Sequence, residues 1–400
     1  MTAPAPAHAP AAALAEAARE ALPALTEDLR RLVHLDTPSD DKALLDAGLD
    51  AIRGWLRERL GDPDEETRHD GGAHGDVLEV LYRGTGPGTG GTVLVVCHYD
   101  TVWPAGTPEE WPFSVDADGR ATGPGLFDMK TGLAQAVWAV ALLDRLGLER
   151  PAVRFLINGD EEIGSPASRA HIERADEDAR ATFICEASHH GALKTSRKGV
   201  GLFEVEVTGV EAHAGLDPDA GASAVHALAE LVPVIAGAGD RARGTTLNVG
   251  LISGGTGRNV VAGRALCGID VRVAEPGEMA RVDAVLSGLT ATDPRVKVTV
   301  TGAWNRPPMV PTPASRRVFA LARRVGAELG VTVEEVGVGG ASDGNFVSAL
   351  GRPVLDGLGA VGDGAHARHE HILLDRVPER TALTAGLLHA LAADDGAGGA

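Results

Sequence analysis

The sequence predicts an α/β protein with a mainly parallel sheet and helices on both faces, interrupted by an inserted α+β domain of the ferredoxin-like kind. Three near-continuous apolar runs, at 92–97, 153–157 and 181–185, are typical of parallel strands that are buried on both faces. Helical patterns separate these runs, as in sheets with helical crossovers. At about Val200 the pattern changes to alternating apolar and polar residues, which indicates half-exposed antiparallel strands.

Two amphipathic helices open the chain. A stripe of leucines that begins at Leu14 predicts a helix over about 12–35. A second helical pattern covers about 42–60, and a third begins at about Leu133, between the first two apolar runs. This alternation of strands and helices is the basis for predicting the parallel sheet.

The inserted part follows a different order. Its predicted elements are a strand at 201–208, a helix at 221–238, strands at 245–253 and 262–273, a helix at 276–289 and a strand at 296–301. Val225, Leu228 and Ile235 are predicted to share one side of its first helix. The order is a split β-α-β unit of the ferredoxin-like kind. We therefore expect one domain from residues 1–199 and 309–400, and an inserted domain from residues 200–308.

Composition and charge favour a soluble globular protein of two domains without a nucleic-acid partner. The chain has 400 residues, 44% of them hydrophobic and 23% charged, which suits two globular domains. Its net charge of −19 comes without a basic stripe, so nucleic acid is not expected to bind. No signal peptide and no long apolar run are visible, so we expect no membrane span and a cytoplasmic location. Residues 1–10 and 394–400 are expected to be disordered.

A doubled glutamate, Glu161-Glu162, stands between Gly159 and Gly164, directly after the apolar run at 153–157. Two adjacent carboxylates at the mouth of a strand repel each other unless a cation lies between them. One of them can bind a metal ion while its neighbour takes a proton from a water molecule. Such a pair, taken alone, is more often part of a solvated loop, so the other motifs decide.

His98 ends the apolar run at 92–97, where α/β proteins bind ligands. Asp100 is close enough in sequence to accept a proton from one ring nitrogen and so fix the tautomer of a metal-bound imidazole. Asp128 follows a glycine-rich loop and precedes the helix that begins at about Leu133. It is compatible with an N-cap and with a metal ligand, and both roles stay open at this point.

There are two further candidates. Glu186 follows a predicted strand, and His366 follows a glycine-rich loop. The candidate metal ligands are therefore His98, Asp128, Glu162, Glu186 and His366. Mixed imidazole and carboxylate ligands suit zinc, and also cobalt or manganese. Five ligands are too many for one tetrahedral zinc ion, but they match two metal ions that share a bridging carboxylate.

The order and spacing of these motifs resemble the M20 metallopeptidases, and within them the glutamate carboxypeptidase branch. The motifs that carry the resemblance are the tetrapeptide from His98 to Thr101, the loop from Gly123 to Gly132, the segment from Gly159 to Ser165, Glu186, and the segment from Gly364 to Glu370. The resemblance extends from about Leu32 to Leu391. It implies a zinc-exopeptidase catalytic domain at 1–199 and 309–400, and a lid or dimerisation domain at 200–308.

The resemblance also implies roles for the candidate ligands. It places His98 and Glu186 on one zinc ion, Glu162 and His366 on a second, and Asp128 between the two ions. It makes Asp100 the partner of His98, and Glu161 the general base. The implied reaction is hydrolysis of a C-terminal amide or peptide bond that releases an amino acid.

Further residues resemble family positions that hold the substrate. His213 would be a surface-loop residue by its sequence context alone, but it resembles the lid histidine that reaches the partner subunit's active site and stabilises an oxyanion. Asn259 and Arg272 match positions that hold the substrate's terminal carboxylate. Without the resemblance, Arg272 would be an exposed strand residue with a salt bridge. Lys194 is placed as a contact to the substrate side chain.

The resemblance implies a homodimer that forms through the lid domain, and a small-molecule substrate that is a peptide or an N-acyl amino acid. The first alternative is an N-acyl amino-acid amidohydrolase, a deacetylase or a dipeptidase with the same chemistry. The second is an inactive binding homologue, against which the intact Glu161 and the five ligands argue. The remaining histidines considered are expected to lie outside the site: His69, His74, His189, His190, His369 and His371.

Overall fold

The computed structural model describes residues 9–86 and 91–392, and the chain divides into two compact units. One unit comprises Met1–Thr195, Pro311–Gly337 and Ser342–Ala400, and the other Ser196–Val310 and Val338–Ala341. That these units act as a catalytic domain and a lid domain stays a prediction. The predicted disorder at the two chain ends falls mostly outside the described residues, although positions 9 and 10 already belong to the first helix.

The helices and strands alternate along the chain. The helices are α1 (Ala9–Val33), α2 (Lys42–Leu60), α3 (Thr107–Glu110), α4 (Thr131–Leu146), α5 (Arg169–Ala175), α6 (Ala224–Gly237), α7 (Pro276–Ser287), α8 (Pro313–Leu329), α9 (Gly344–Ala349) and α10 (Val377–Ala392). The strands are β1 (Glu65–His69), β2 (Val77–Tyr82), β3 (Thr92–His98), β4 (Ser114–Val115), β5 (Arg120–Thr122), β6 (Ala152–Asn158), β7 (Ala179–Ile184), β8 (Leu193–Arg197), β9 (Gly199–Thr208), β10 (Ala212–His213), β11 (Thr246–Gly254), β12 (Val260–Val261), β13 (Arg264–Val273), β14 (Lys297–Arg306), β15 (Glu335–Val338), β16 (Val354–Asp356), β17 (Gly362–Asp363) and β18 (His371–Leu373).

The large sheet, counted over the described residues, has eight strands in the order β1-β2-β6-β3-β7-β16-β8-β15. Its centre is parallel, because β3 pairs in parallel with β6 and β7, and β7 with β16. The flanks are antiparallel, with β2 running against β6 and β1 against β2. β2 therefore needs no helical crossover to reach β3, and strict alternation of strands and helices holds only for the centre of the sheet.

The core of the first unit lies between this sheet and the helices that cover it. Strands β3 and β6 supply fully buried side chains such as Val95 and Phe155, as expected for strands covered on both faces. Helix α4 is buried on almost every side. The segment Leu126–Leu146 is long and apolar enough for a membrane span, but 89% of its most apolar window is buried inside the protein, as in a core helix. The cytoplasmic location stays a prediction.

The second unit carries a four-stranded antiparallel sheet in the order β11-β13-β9-β14. With α6 after β9 and α7 after β13, it has the predicted ferredoxin-like order. Helix α6 begins later than predicted because the Ser223 hydroxyl caps it, accepting the His226 backbone N–H at 3.2 Å. The prediction that Val225 shares the packed side was wrong, since Val225 is exposed while Leu228 and Ile235 are buried in the unit's core.

A small antiparallel sheet, β17-β18-β5-β4, connects distant parts of the first unit. The start of β18 pairs with the end of β5, with His371 opposite Thr122. The loop that precedes β18 is thereby held against the loop that follows β5. This pairing brings two candidate ligands, far apart in sequence, to one place.

Candidate active site

The carboxyl ends of three neighbouring parallel strands gather acidic and imidazole groups at one edge of the large sheet. β3 ends at His98, β6 is followed by the single turn Glu161–Ile163, and Glu186 comes two residues after β7. β3 lies between β6 and β7. Side chains at equivalent ends of adjacent parallel strands share a crevice, which is the usual ligand site of such sheets.

The two ring nitrogens of His98 face different groups in a buried environment. Nδ1 lies 3.1 Å from the carbonyl oxygen of Asp100 and 3.4 Å from its Oδ1. Both atoms are acceptors, so Nδ1 carries a proton and Nε2 is the nitrogen available to a metal ion. Nε2 lies 3.2 Å from Asp128 Oδ1 and 3.5 Å from Glu186 Oε1. The sequence predicted the Asp100 carboxylate as the partner of His98, whereas the carbonyl oxygen of Asp100 lies closer.

Asp128 faces both candidate histidines with different oxygens. Its Oδ1 lies 3.2 Å from His98 Nε2, and its Oδ2 lies 3.3 Å from His366 Nε2. The N-cap position of α4 is taken by Lys130, so Asp128 is not the N-cap of that helix. The peptide bond between Asp128 and Met129 is cis. Asp128 thus has the geometry of a bridging carboxylate.

His366 approaches from the loop between β17 and β18. Its φ of 62° lies in the left-handed region, which non-glycine residues seldom adopt and which is typical of functional positions. His366 Nε2 lies 3.0 Å from Glu162 Oε2 as well as 3.3 Å from Asp128 Oδ2. The side chain is half exposed, so this flank of the cluster opens to solvent.

The donor set fits metal ions. Nε2 of each histidine faces two carboxylate oxygens, and one ring proton cannot lie toward both. Zinc bonds of about 2.0–2.2 Å separate the donors of a tetrahedral ion by about 3.3–3.6 Å, close to the 3.0–3.5 Å found here. Glu162 Oε1 is buried and has no hydrogen-bond partner among the described residues. The donor atoms of His98, Asp128 and Glu162 all lie within 4.8 Å of one another, as do those of His98, Glu161 and Glu186.

The electrostatics of the cluster also favour bound cations. Burial, and then the charge of Asp128, raise the pKa of Glu162 to about 7. Hydrogen bonds to Asp128 and Glu162 raise the pKa of His366 to about 11 despite partial burial. Burial would lower the pKa of His98, but its hydrogen bonds to carboxylates, Asp100 first, raise it well above the ordinary value. The cluster therefore stabilises positive charge at the points where the metal ions would lie.

Asp100 connects the end of β3 to the Glu161-Glu162 turn. Its Oδ1 accepts the backbone N–H of Glu161 and its Oδ2 that of Glu162, both at 3.2 Å. The Ser39 hydroxyl donates to Asp100 Oδ2 at 2.9 Å. Sequence reasoning assigned Asp100 to His98 alone, because no local spacing signals a contact with residues more than 60 positions away.

Glu370 is a positioning residue that the sequence analysis missed. One oxygen of its buried carboxylate accepts the backbone N–H groups of Phe127 and Asp128 at 2.8 and 3.2 Å. The other accepts the Gly125 N–H at 3.1 Å and the Trp103 indole N–H at 3.0 Å. Burial raises the pKa of Glu370 to about 7, although these hydrogen bonds act in the opposite direction. Glu370 therefore fixes the loop that presents Asp128, and its place shortly after His366 was the available sequence signal.

Asp343 braces the loop that carries the glutamate pair. Its Oδ1 accepts the Ser165 hydroxyl at 2.5 Å, and its Oδ2 accepts the Asn158 amide at 2.9 Å. Asn158 and Ser165 lie on either side of the glutamates, so one buried carboxylate ties both ends of this loop. The glycine-rich segment around Asp343 resembled a family loop in sequence, and this contact gives it a structural role.

The second unit presents His213 and Asn259 close together. His213 Nδ1 accepts the backbone N–H groups of Gly215 and Leu216 at 3.1 and 3.0 Å. Nδ1 is therefore unprotonated, and Nε2 carries the ring proton and acts as a donor. The carbonyl oxygen of Asn259 accepts the Ala214 N–H at 2.9 Å. A neutral histidine that can donate from Nε2 suits the stabilisation of an oxyanion.

Arg272 and Lys194 are found in different units. Arg272, in β13, forms a bidentate ion pair with Asp270, with both distances 2.8 Å. This is the strand salt bridge that its sequence context alone indicated. Lys194 lies in β8 of the first unit, half-buried, with its backbone opposite Asp356. Substrate contacts of Asn259, Arg272 and Lys194 stay predictions.

The other histidines make contacts of their own. His69 stacks on His171 with ring centres 4.1 Å apart, and Nδ1 of His371 lies 3.0 Å from the carbonyl oxygen of His369. The potential metal-binding groups found in the described part of the chain include none of these histidines, nor His366, whose candidacy rests on its distances to Asp128 and Glu162.

Strand ends of the parallel sheet and two loops bring two histidines and several carboxylates together, an arrangement typical of metal-dependent hydrolases. Residues 94–390 match the family described as peptidase family M20/M25/M40, and the chain belongs to this family. It is thus an M20-family metallohydrolase, as the sequence motifs predicted.

The chain is similar to curated proteins with different activities. Carboxypeptidase G2 of Pseudomonas sp. (strain RS-16) is 28% identical over 393 residues, which cover 95% of this chain and 92% of that protein. A succinyl-diaminopimelate desuccinylase of Burkholderia vietnamiensis is 32% identical over 328 residues, covering 74% of this chain and 82% of that protein.

Solved structures share the fold at lower identity. Aminopeptidase PepT from Bacillus cereus ATCC 10987 superposes with a TM-score of 0.75 at 21% identity, covering 93% of this chain and 99% of that chain. The M20 family metallo-carboxypeptidase Sso-CP2 from Sulfolobus solfataricus gives a TM-score of 0.68 at 19% identity, covering 91% and 98%. These likenesses confirm the predicted fold class.

Proposed function

We propose that the protein is a di-metal hydrolase that cleaves a C-terminal amide or peptide bond and releases an amino acid, as a glutamate carboxypeptidase does. The observation that carries the proposal is Asp128, whose two oxygens face the Nε2 atoms of two different histidines, His98 and His366. A carboxylate that faces two imidazole groups in this way is suited to lie between two metal ions, as in a two-metal hydrolase.

Each metal position has its own donors. His98 and Glu186 would hold one ion, and Glu162 and His366 the other, with Asp128 shared. When bound, two zinc ions supply Lewis acidity and lower the pKa of a water molecule in the site. Cobalt and manganese ions suit the same donors.

Glu161 is left for proton transfer. Its backbone N–H donates to Asp100. Its carboxylate lies beside His98 and Glu186, but each of the two proposed metal positions has its ligands without it. We assign to it the removal of a proton from the attacking water and the delivery of that proton to the leaving amine. His213, with its proton on Nε2, would donate to the oxyanion.

A homodimer through the second unit belongs to the same proposal. Leu251 and Ile252 are 75% and 65% exposed on β11, an edge strand of the four-stranded sheet. Exposed apolar side chains on an edge strand favour pairing with another chain. Two-fold pairing is the commonest assembly of identical subunits.

An N-acyl amino-acid amidohydrolase is the second candidate, because a desuccinylase relative is 32% identical to this chain over 328 aligned residues. The test is a hydrolysis screen with zinc, cobalt or manganese against N-acyl-glutamates, other N-acyl amino acids and dipeptides. We expect release of the C-terminal amino acid. The group of substrates that is hydrolysed fastest distinguishes the two candidate functions.

Glu161→Gln should reduce turnover by about 10²–10⁴-fold or more while the metal content is unchanged, because only the general base is lost. Glu177→Gln, a matched change at an exposed glutamate, should leave turnover unchanged. Loss of metal together with activity in Glu161→Gln would instead make Glu161 a ligand, and no turnover of any substrate by the metal-loaded wild type would support the inactive homologue.

A further inference from the structure

A cleft of ≈ 250 Å³ lies beside Glu162 in the first unit. Its lining includes residues 102–104, which follow the His98 strand, and Ile163, in the turn after β6. Sites that enclose a whole small ligand usually measure about 300–1,000 Å³. The cleft is therefore too small for a whole ligand, but it can hold one substituent of a substrate that reacts next to Glu162.

The cleft is lined by apolar and polar residues in equal number, and two of the apolar ones are exposed. The apolar residues are Val102, Trp103, Pro104 and Ile163, and the polar ones are Ser39, Asp40, Thr101 and Glu162. Val102 and Ile163 are 41% and 46% exposed. In the described part of the first unit, four large apolar side chains are exposed, and these are two of them; the others are Val115 and Leu350. Exposed apolar side chains that cluster at a concave surface mark a binding site, whereas single ones do not.

The charges at the cleft are of one sign. The charged residues that line it are Asp40 and Glu162, and both are acidic. Arg368 packs over the ring of Trp103, a lining residue, at 5.2 Å, but this guanidinium lies 3.8 Å from Glu110. With Glu162 holding a metal ion, Asp40 is the charge in the lining that an anionic substituent would meet, while an uncharged apolar one would meet Val102 and Ile163.

We propose that this cleft is the subsite for the acyl part of the substrate, and that it selects uncharged apolar acyl groups over anionic ones such as succinyl. This rests on the proposed function, because Glu162 places the cleft at the reacting bond only if Glu162 holds a metal ion. The released amino acid carries a carboxylate, which the charge of Asp40 disfavours. The acyl part is therefore the half of the substrate that fits the cleft.

The test measures binding without turnover. Zinc-loaded Glu161→Gln protein is titrated calorimetrically with N-hexanoyl-, N-acetyl- and N-succinyl-glutamate. N-hexanoyl-glutamate should bind at least about tenfold more tightly than either of the others, because its extra methylene groups are buried. Equal binding of all three compounds, tighter binding of the succinyl compound, or no binding of any would overturn the proposal.

Two valines of similar exposure provide the matched comparison. Val102→Ser in the same background should remove most of the preference for the hexanoyl compound. Val115→Ser, at a valine that is 44% exposed away from the cleft, should leave the preference intact. Asp40→Lys should strengthen binding of the succinyl compound several-fold. Equal effects of the two valine variants would contradict the subsite.

The outcomes separate this proposal from the proposed function. Wild-type turnover of acyl-glutamates with no dependence on the acyl chain would overturn the subsite and leave the hydrolase activity standing. Hexanoyl-selective binding that Val102→Ser removes, without any turnover by the metal-loaded wild type, would support the subsite and overturn the activity.

Discussion

The side-chain oxygens of Asp128 set the geometry of the site at the scale of single residues. One oxygen faces His98 and the other faces His366, so the carboxylate is shared between two sets of donors. Three backbone N–H groups of the loop that carries Asp128 donate to the Glu370 carboxylate, which fixes this part of the loop. The position of the Asp128 carboxylate therefore depends on a second, buried carboxylate.

Glu370→Gln should weaken zinc binding, because the new amide nitrogen is a hydrogen-bond donor that faces other donors. The expected loss is about 10–100-fold, the usual effect of removing a residue that positions a metal ligand. kcat should fall with it, while KM changes little because Glu370 lies behind Asp128. Zinc affinity and steady-state kinetics measure both effects. Glu379→Gln, at a glutamate whose partner is Arg376, is the matched control and should change neither. Wild-type zinc affinity in Glu370→Gln would refute the positioning role.

At the scale of elements, ion pairs join α2, β1 and the start of β2. Asp76 lies 2.6 Å from Lys42 Nζ and 2.7 Å from Arg68 Nε, and its carboxylate also accepts the Gly71 N–H at 3.0 Å. Burial would raise the pKa of Asp76, but the Gly71 hydrogen bond and then the two cations lower it to about 2. The folded protein thus holds this carboxyl group ionised well below its usual range.

Because the pKa of Asp76 is lower in the folded than in the unfolded protein, its ionised carboxylate stabilises the fold at pH values above the unfolded pKa of about 3.9. This stabilisation is lost as the pH falls toward the folded pKa of about 2. Asp76→Asn should therefore cost roughly 1–2 kcal/mol of unfolding free energy at pH 6, and progressively less below pH 4. Urea unfolding at several pH values measures this. Asp50→Asn, at a more exposed partner of Arg68, should cost little at any pH, and an Asp76→Asn effect independent of pH would contradict the account.

Elements with strong periodicity were predictable, and those set by tertiary contacts were not. Helix α2 was predicted at its observed bounds, and the ferredoxin-like order of the second unit is observed as predicted. The antiparallel position of β2 was missed, because apolar periodicity does not report strand direction. The rotation of α6, with Val225 outside, depends on a capping serine and on the sheet it packs against.

The candidate site follows the same division. The five candidate ligands could be chosen from the sequence because each lies near the end of a strand or in a glycine-rich loop, and their binding of metal stays a prediction. The roles of Glu370, Asp343 and Ser39 were not, because each acts through hydrogen bonds to residues far away in sequence. The residues around Asp128 were compatible with a helix N-cap and with a metal ligand. The position of Lys130 at the N-cap of α4 decides against the N-cap role.

At the scale of the whole molecule, the proposed dimer makes the second unit part of catalysis. His213 belongs to the second unit and the metal ligands to the first. If His213 completes the site of the partner subunit, mixing inactive His213→Ala and Glu161→Gln proteins should restore part of the activity after subunit exchange. A mixed dimer would then contain one site with both residues intact. No recovery, despite verified exchange, would place His213 in its own subunit's site or outside catalysis.

The zinc content of the chain tests the central claim most directly. After dialysis to equilibrium at saturating zinc, wild-type protein and Glu161→Gln should each retain two zinc ions per chain, because five ligands with Asp128 shared provide two positions. Asp128→Asn should retain fewer under the same conditions. One zinc ion per wild-type chain at saturation would contradict the bridging role of Asp128, and with it the two-metal site on which the proposed hydrolysis depends.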